Sequence, residues 1–404
     1  MTPKIFAASH AFLLLLLLPA VSAFSVAPSF LPRARMLSSR AGSTPLSWSL
    51  PKSRAARHSA HAPSLRSSNM MAKDVATAKP EDVTVLVAGA TGYIGRFVTK
   101  ELIRRGYNVI AFSRSKAGVG GKKSEDDIRA DFKGATVAFG DVTDIESLRA
   151  NGFKDQVDVV VSCLASRTGG VEDSNRIDYQ ASKHCLDLLA EGGGAHYVLL
   201  SAICVQKPLL EFQRAKLRLE EAIQAQDKVT YSIVRPTAFF KSLAGQVGLV
   251  KDGKPYVMFG DGQICKANAI SEQDLAEVMA DCITNKERYN KVLPVGGPGE
   301  PVTPLQQSEM LFDMFDREPK YIKVPIGVFD FIIGAIDLFA NVFPNLKDTA
   351  EFARIGRYYA TEDMVGPSYG TTTLREFFQD VADNGLQGQE LGDQAVFNID
   401  GKSG

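Results

Sequence analysis

Residues Val83-Thr-Val-Leu-Val-Ala88 run directly into Gly89-Ala-Thr-Gly92-Tyr-Ile-Gly95 and then into a helical stretch, Arg96 to Arg105, that Gly106 ends. A short apolar run, a glycine turn and a helix, in that order, predict a buried strand feeding a phosphate cradle. Glycines there let the backbone turn tightly and approach a pyrophosphate, whose charge is stabilised by free N–H groups and the positive end of the helix. The candidate cofactor-binding residues of this cradle are Gly89, Thr91, Gly92, Tyr93, Ile94 and Gly95.

Outward from the cradle the strands follow in rhythm. The second, Asn108 to Ser113, ends where an NAD enzyme usually places an acid on the ribose hydroxyls. This chain has Ser113-Arg114-Ser115-Lys116 instead. Two cations and two hydroxyls suit a 2′-phosphate, so NADPH is the expected cofactor and Ser113, Arg114 and Lys116 its contacts; a solvated basic loop is the plainer alternative. Ala135 to Phe139 leads to Gly140-Asp141-Val142, and Val157 to Val161 leads to Ser162-Cys163-Leu164-Ala165-Ser166. His196 to Leu200 ends at Ser201, and Val229 to Val234 ends at Arg235-Pro236. Six alternating β and α units describe an α/β fold, a Rossmann-type doubly wound parallel sheet with ligands at the carboxyl ends of its strands. That geometry adds Cys163, Leu164, Ala165 and Pro236 to the candidate cofactor contacts. The GxxGxxG spacing resembles the extended and atypical short-chain dehydrogenase/reductases, and the resemblance makes Asp141 and Val142 the adenine-contacting pair.

Beyond Pro236 the pattern changes. A turn-rich section with Phe239, Phe240, Tyr256 and Phe259 precedes a helix capped near Ser271 and Asp274, a strand near Val292 to Val295, and a helix capped at Thr303 with Pro304 and Gln306. This is expected to be a smaller C-terminal substrate lobe with interleaved return elements, 237–385, after a nucleotide-binding domain, 74–236, and before a tail, 386–404. Phe212, Phe239 and Phe240 are the candidate substrate contacts.

The 404 residues carry 46 basic and 46 acidic side chains, but the balance is uneven along the chain. Residues 1–73 hold nine Lys or Arg and no acid, which leaves 37 − 46 = −9 on residues 74–404. A body this acidic lacks the positive field that nucleic-acid binding needs. The five cysteines (Cys163, Cys185, Cys204, Cys265, Cys282) are scattered, with no CxxC or histidine pairing, and read as reduced and buried, with no metal site. Ala11 to Ala23 is an apolar run with six consecutive leucines, Leu13 to Leu18, ending in Ala20-Val-Ser-Ala23, a signal-peptidase form too short for a membrane span. Residues 24–73 are rich in Ser, Arg and Ala and lack acids, a transit-peptide composition. With Ala23-Phe24 at the junction, the two resemble the bipartite plastid presequences of algae; secretion with a linker is the alternative. Trp48, the only tryptophan, lies in this segment, so the processed protein should contain none.

The catalytic signature departs from the superfamily. Those enzymes commonly carry Tyr-xxx-Lys on the helix after strand five, the lysine holding the ribose and lowering the tyrosine pKa. Tyr179-Gln-Ala-Ser-Lys183 has the spacing but precedes strand five, on a helix from Asn175 to Ala190 whose Ile177, Cys185, Leu186 and Leu189 look like a packing face. After strand five stands Phe212-Gln-Arg-Ala-Lys216: the lysine remains and the tyrosine is phenylalanine. Phenylalanine cannot transfer a proton, which argues against alcohol–ketone chemistry and suits reduction of a conjugated carbon–carbon double bond.

Val87-Ala-Gly-Ala-Thr-Gly-Tyr-Ile-Gly95, Cys163-Leu-Ala-Ser166, Phe212-Gln-Arg-Ala-Lys216, Val234-Arg-Pro-Thr-Ala-Phe239, Phe259-Gly-Asp-Gly262, Ile270-Ser-Glu-Gln-Asp-Leu275, Gly296-Gly-Pro-Gly299 and Arg317-Glu-Pro-Lys320 together carry a closer resemblance. From Val83 to Val365 the chain resembles the NADPH-dependent divinyl (proto)chlorophyllide 8-vinyl reductases of chlorophyll biosynthesis. The resemblance implies hydride delivery from NADPH to the 8-vinyl group of a tetrapyrrole, giving an ethyl group, in a plastid. Lys216 is the leading candidate for the accompanying proton, with ribose binding as its other role. An isoflavone-reductase-like enzyme of another flat conjugated substrate, and a non-catalytic NADP-bound assembly factor for photosynthetic complexes, are the alternatives. Val324 to Phe343 presents Val328, Phe331, Ile332, Ala335, Phe339 and Phe343 on one face. Asp330 and Asp337 argue against a span, so that face is expected to pack over the lobe, with weak peripheral thylakoid or envelope contact as the other reading.

Overall fold

The computed structural model describes residues 73–117, 123–340 and 346–385. The expected signal peptide, Trp48 and the rest of the transit segment before Lys73, the tail 386–404 and Phe343 lie outside them. Lys73, assigned to the end of the transit segment, belongs instead to the folded body. Its ammonium pairs with the buried Asp158 at 2.8 Å and donates to Asp82 O at 2.6 Å.

Strand β1 (Thr84–Ala88) turns Val85 and Val87 to one face of a sheet and Leu86 and Ala88 to the other. All four are buried, so helices must cover both faces. The chain continues through α1 (Gly95–Arg104), β2 (Asn108–Ser113), α2 (Glu125–Asp131), β3 (Thr136–Phe139), α3 (Ile145–Gly152) and β4 (Val159–Ser162). A π-helical stretch, Ser174–Ala181, then runs into α4 (Ser182–Glu191), β5 (His196–Leu200), α5 (Glu211–Ala225) and β6 (Thr230–Pro236). There follow α6 (Lys241–Lys251), β7 (Tyr256–Phe259), α7 (Glu272–Thr284), β8 (Lys291–Val295), α8 (Pro304–Met314) and β9 (Tyr321–Val324). Helices α9 (Gly327–Ala340), α10 (Leu346–Thr361) and α11 (Leu374–Asn384) complete the described chain.

Seven strands form one parallel sheet in the order β3-β2-β1-β4-β5-β6-β8. The order reverses between β1 and β4, which opens a crevice at their carboxyl ends. On one face Val98 and Leu102 of α1 meet Leu275, Met279 and Ile283 of α7 in one core. On the other, Leu148, Leu186, Leu189, Leu219 and Ile223 from α3, α4 and α5 form a second.

Two expectations become specific here. The strand at Val292 to Val295 is a return element of 237–385, the seventh strand of the main sheet, pairing with β6 from Ser232↔Lys291 to Pro236↔Val295. It satisfies the backbone groups that β6 would otherwise leave open along that edge. Helix α7 returns to the sheet in the same way, capped as expected by Ser271 Oγ, which accepts the Asp274 N–H at 3.0 Å. The lobe itself has β7 and β9 paired in parallel, with Leu243, Met258, Leu311 and Phe378 in its core. Thr303 and Gln306 cap α8 reciprocally.

The second concerns α9. Its buried residues are Phe329, Ile332, Ile336 and Ala340, whereas Phe331 is 78% and Leu338 73% exposed and Phe339 is exposed with them. The helix is apolar nearly all round, and its two acids pair across to α10: Asp330 with Arg357 and Asp337 with Arg354, both at 2.6 Å. Of the expected face, Ile332 is buried and Val328 is partly buried in the same cluster, whereas Phe331, Ala335 and Phe339 are exposed.

Candidate active site

The cradle is built by close backbone approach. Gly89 has φ +82, and a Cβ on it would stand 2.9 Å from Cys163 O, so strand four's end passes where a side chain would be. A Cβ on Gly95 would stand 2.0 Å from Gly89 O. Cys163 N–H donates to Ala88 O at 2.9 Å and Gly92 N–H to Gly89 O at 2.9 Å, which fixes the loop against β4. Cys163 and Leu164 turn their side chains into the cores, so what they offer the crevice is backbone. Ala165 is exposed beside them. Thr91 Oγ1 lies 3.2 Å from Ser113 Oγ, linking the cradle to the end of β2. Ile94 is buried under the turn.

At the rim of β2, the Arg114 and Lys116 side chains are exposed and make no hydrogen bond or ion pair with the described residues; the Arg114 carbonyl accepts from Ser113 Oγ at 3.1 Å. Asp141 caps its own turn: its Oδ1 accepts from Thr143 N at 2.9 Å and Thr143 Oγ1 at 2.8 Å. Burial raises its pKa, but those two donors with Arg114 and Arg176 hold it below the usual carboxylate range. Val142 packs into the second core. Arg167, which the sequence reading missed, has its pKa lowered by burial and by the like charge of Arg114. It adds a third cation near the strand-two rim.

Behind the crevice α5 carries two buried charges one turn apart. Lys216, 6% exposed, donates to Leu164 O and Leu200 O, each at 3.4 Å, and its Nζ is 3.1 Å from Asp178 Oδ1. Glu220 accepts from Ser201 Oγ and pairs with Arg235, whose Nε is 3.1 Å from both carboxylate oxygens. The four charges Asp178, Lys216, Glu220 and Arg235 balance, and they lock the helix to the ends of β4, β5 and β6. Asp178 was not foreseen; it immediately precedes the tyrosine of the misplaced Tyr-xxx-Lys string.

That string itself stands apart. Tyr179 lies under the Arg218 guanidinium, 5.4 Å from ring centroid to Cζ, and Lys183 pairs with Asp187 at 2.6 Å.

The aromatic candidates divide. Phe212, four residues before Lys216 on the same helical face, is partly buried with Cys204, Leu210, Ile355 and Tyr358. Pro236 is buried at the end of β6. Phe239 is partly buried, its ring centroid 6.0 Å from that of Tyr93. Phe240 corrects the expectation. It is 1% exposed and packed against Phe377 inside the lobe core, ring centroids 5.0 Å apart and tilted by 32°, so it holds the lobe together and offers no surface to a substrate. The residues after β6 alternate faces, and only Phe239 of the pair turns toward the cradle.

Tyr93 draws in two further residues that the sequence reading missed as site groups. Its hydroxyl donates to Glu272 Oε1, at the first turn of α7, and Lys241 Nζ lies 4.4 Å from its ring centroid. Burial pushes the Glu272 carboxyl up to about 7, and burial followed by Arg96 pushes Lys241 down to about 8. A helix start at Ser271 was legible; a buried acid beneath the glycine loop was not.

A family model described as NAD(P)H-binding matches residues 89–286. Divinyl chlorophyllide a 8-vinyl-reductase, chloroplastic, of Cucumis sativus is 54% identical over 337 residues, covering 79% of this chain and 80% of that protein. Its counterpart in Zea mays is 55% identical over 334 residues, covering 78% and 83%. Among solved structures, the binary complex of leucoanthocyanidin reductase and NADPH from Vitis vinifera superposes with a TM-score of 0.54 at 16% identity, over 74% of this chain and all of that one, a likeness of fold. With more than half of its residues shared along four fifths of those plant proteins, the chain belongs to the divinyl chlorophyllide a 8-vinyl-reductase family.

Proposed function

We propose that this chain reduces the 8-vinyl group of a divinyl chlorophyllide or protochlorophyllide to ethyl with NADPH, in a plastid, with residues 74–236 supplying most of the cofactor side and 237–385 most of the substrate side. The observation that carries the reading is the buried Lys216 ammonium at the carboxyl ends of β4 and β5, with phenylalanine rather than tyrosine one turn before it. The cradle fits a dinucleotide: at Gly89 and Gly95 a Cβ would collide with backbone, so the loop keeps its surface for a close-lying pyrophosphate. Arg114 and Lys116, uncommitted within the described residues, suit a 2′-phosphate. When bound, NADPH supplies the hydride that the vinyl group takes up.

The protein's own residues do the rest. The loop from Cys163 to Ser166 and the end of β6 at Pro236 frame the crevice, and Phe212 and Phe239 offer ring surface for a flat macrocycle. Reduction also requires a proton on the second vinyl carbon, and Lys216 Nζ is the donor assigned here, in a site that burial keeps dry. Anaerobic incubation of the protein from Lys73 onward with NADPH and divinyl chlorophyllide, followed by chromatography, tests the reading. Appearance of the monovinyl product supports it. Turnover of an isoflavone-type substrate instead, or no turnover with NADPH bound, would transfer the chain to one of the alternatives.

A second reading concerns membranes. Phe331, Leu338 and Phe339 are exposed on α9, and its two acids are held by α10 arginines, which favours peripheral contact with a lipid surface. Among the described residues no helix is long and apolar enough to cross a membrane. Co-sedimentation with galactolipid vesicles, lost in a Phe331→Ser, Leu338→Ser variant, is the expected result; equal recovery of both proteins would oppose it.

A further inference from the structure

We propose that Asp178 is a positioning residue for Lys216, fixing where the ammonium stands in the crevice; the inference rests on the role given to Lys216 above. Asp178 is 1% exposed, and its Oδ1 has the ammonium at 3.1 Å and no hydrogen-bond donor among the described residues. Its Oδ2 accepts the Ser166 N–H at 3.2 Å. One carboxylate therefore holds both the ammonium and the loop after β4, so the two reach the substrate as a single unit.

The other partners of Lys216 cannot replace it. Leu164 O and Leu200 O lie at 3.4 Å, long for N–H···O bonds, and carbonyls leave the charge uncompensated. Glu220, one turn on, is committed to Arg235 and Ser201. Among the described residues Asp178 is the carboxylate in ion-pair reach of this ammonium. The local backbone is adapted to deliver it. Residues Ser174–Ala181 form π-helical turns, wider and less stable than α-helix, an arrangement that recurs at functional sites. Tyr179 of the same segment and Lys183, in the first turn of α4, face Arg218 and Asp187, so the widened stretch contributes its acid rather than the tyrosine of the Tyr-xxx-Lys string.

The test is a double-mutant cycle on the mature protein, with turnover of divinyl chlorophyllide and NADPH affinity by fluorescence titration as separate readouts. Asp178→Asn should lower kcat by about tenfold or more while NADPH affinity stays within about threefold, and Asp178→Glu should restore part of the loss. In a Lys216→Met background, itself lowered by about 100-fold, Asp178→Asn should change kcat by less than about twofold, because a residue acting through Lys216 has nothing left to position. Wild-type kcat in Asp178→Asn, or the same fractional loss with and without Lys216, would overturn the proposal alone. Wild-type kcat in Lys216→Met would overturn the reading of Lys216 and the proposal with it. Should Asp178→Asn fail to fold, Asp178→Glu carries the same cycle: its loss of kcat must vanish in the Lys216→Met background.

Discussion

Replacing Glu272 by Gln removes a charge from beneath the cradle while leaving an oxygen for the Tyr93 hydroxyl and the Lys241 N–H. Burial raises this carboxyl from its ordinary 4.5 to about 7, so the folded protein keeps a proton that the unfolded chain releases. A folded value above the unfolded one means that the contribution is complete below pH 4.5 and is lost as the pH rises through about 7. The gap between the two values corresponds to about 3 kcal/mol, and the carboxyl is buried enough that solvent screening does not erase it. Glutamine mimics the protonated acid. Urea unfolding should therefore find the variant and the wild type close to equal near pH ~4, and the variant more stable by about 3 kcal/mol above pH ~8. The same charge is one hydrogen bond from the glycine loop, so NADPH should bind the variant more tightly than the wild type above neutrality and equally at low pH. A stability difference independent of pH, or a variant less stable than wild type in alkali, would refute the reasoning.

Three further outcomes are expected. Arg114→Ala with Lys116→Ala should weaken NADPH by about tenfold or more and leave NADH little changed, as one lost phosphate pairing implies; equal losses for both cofactors in a titration would remove this loop from the 2′-phosphate. Gly95→Ala, with a Cβ that would fall 2.0 Å from Gly89 O, should abolish NADPH binding in fluorescence titration, and unchanged affinity would contradict the cradle geometry. Tyr179→Phe should keep turnover within about threefold of wild type, because its ring packs under Arg218 away from the crevice and the proton is assigned to Lys216.

What the sequence made legible was local. Val83 to Gly95 gives strand, turn and helix because periodicity and glycine chemistry act over a few residues, and the caps at Ser271 and Thr303 follow for the same reason. Placement across the chain was harder. Val292 to Val295 reads as a strand, but only the open edge of β6 decides which sheet receives it. Phe239 and Phe240 are chemically the same and adjacent; their fates separate because one faces Tyr93 and the other Phe377. On α9 apolar residues lie on every side, so periodicity alone could not say which would be covered: Phe329, Ile332 and Ile336 join core clusters, while Phe331, Leu338 and Phe339 stay exposed.

Asp178 shows the deepest limit and the reason for it. A carboxylate next to tyrosine in a polar helical segment looks solvated, since burying a lone acid is costly. Its burial becomes favourable only when a cation from another helix meets it, and Lys216 arrives there through the packing of α5 against the π-helical stretch. The same holds for Glu220 and Arg235 one turn further. Each charge is affordable in the interior because its partner is already fixed to a strand end, so the network forms as a whole with the sheet. The chemistry at the crevice is thus a property of the assembled sheet: the glycines announce where a dinucleotide lies, while the groups that would steer a proton beside it are specified by contacts that no single segment contains.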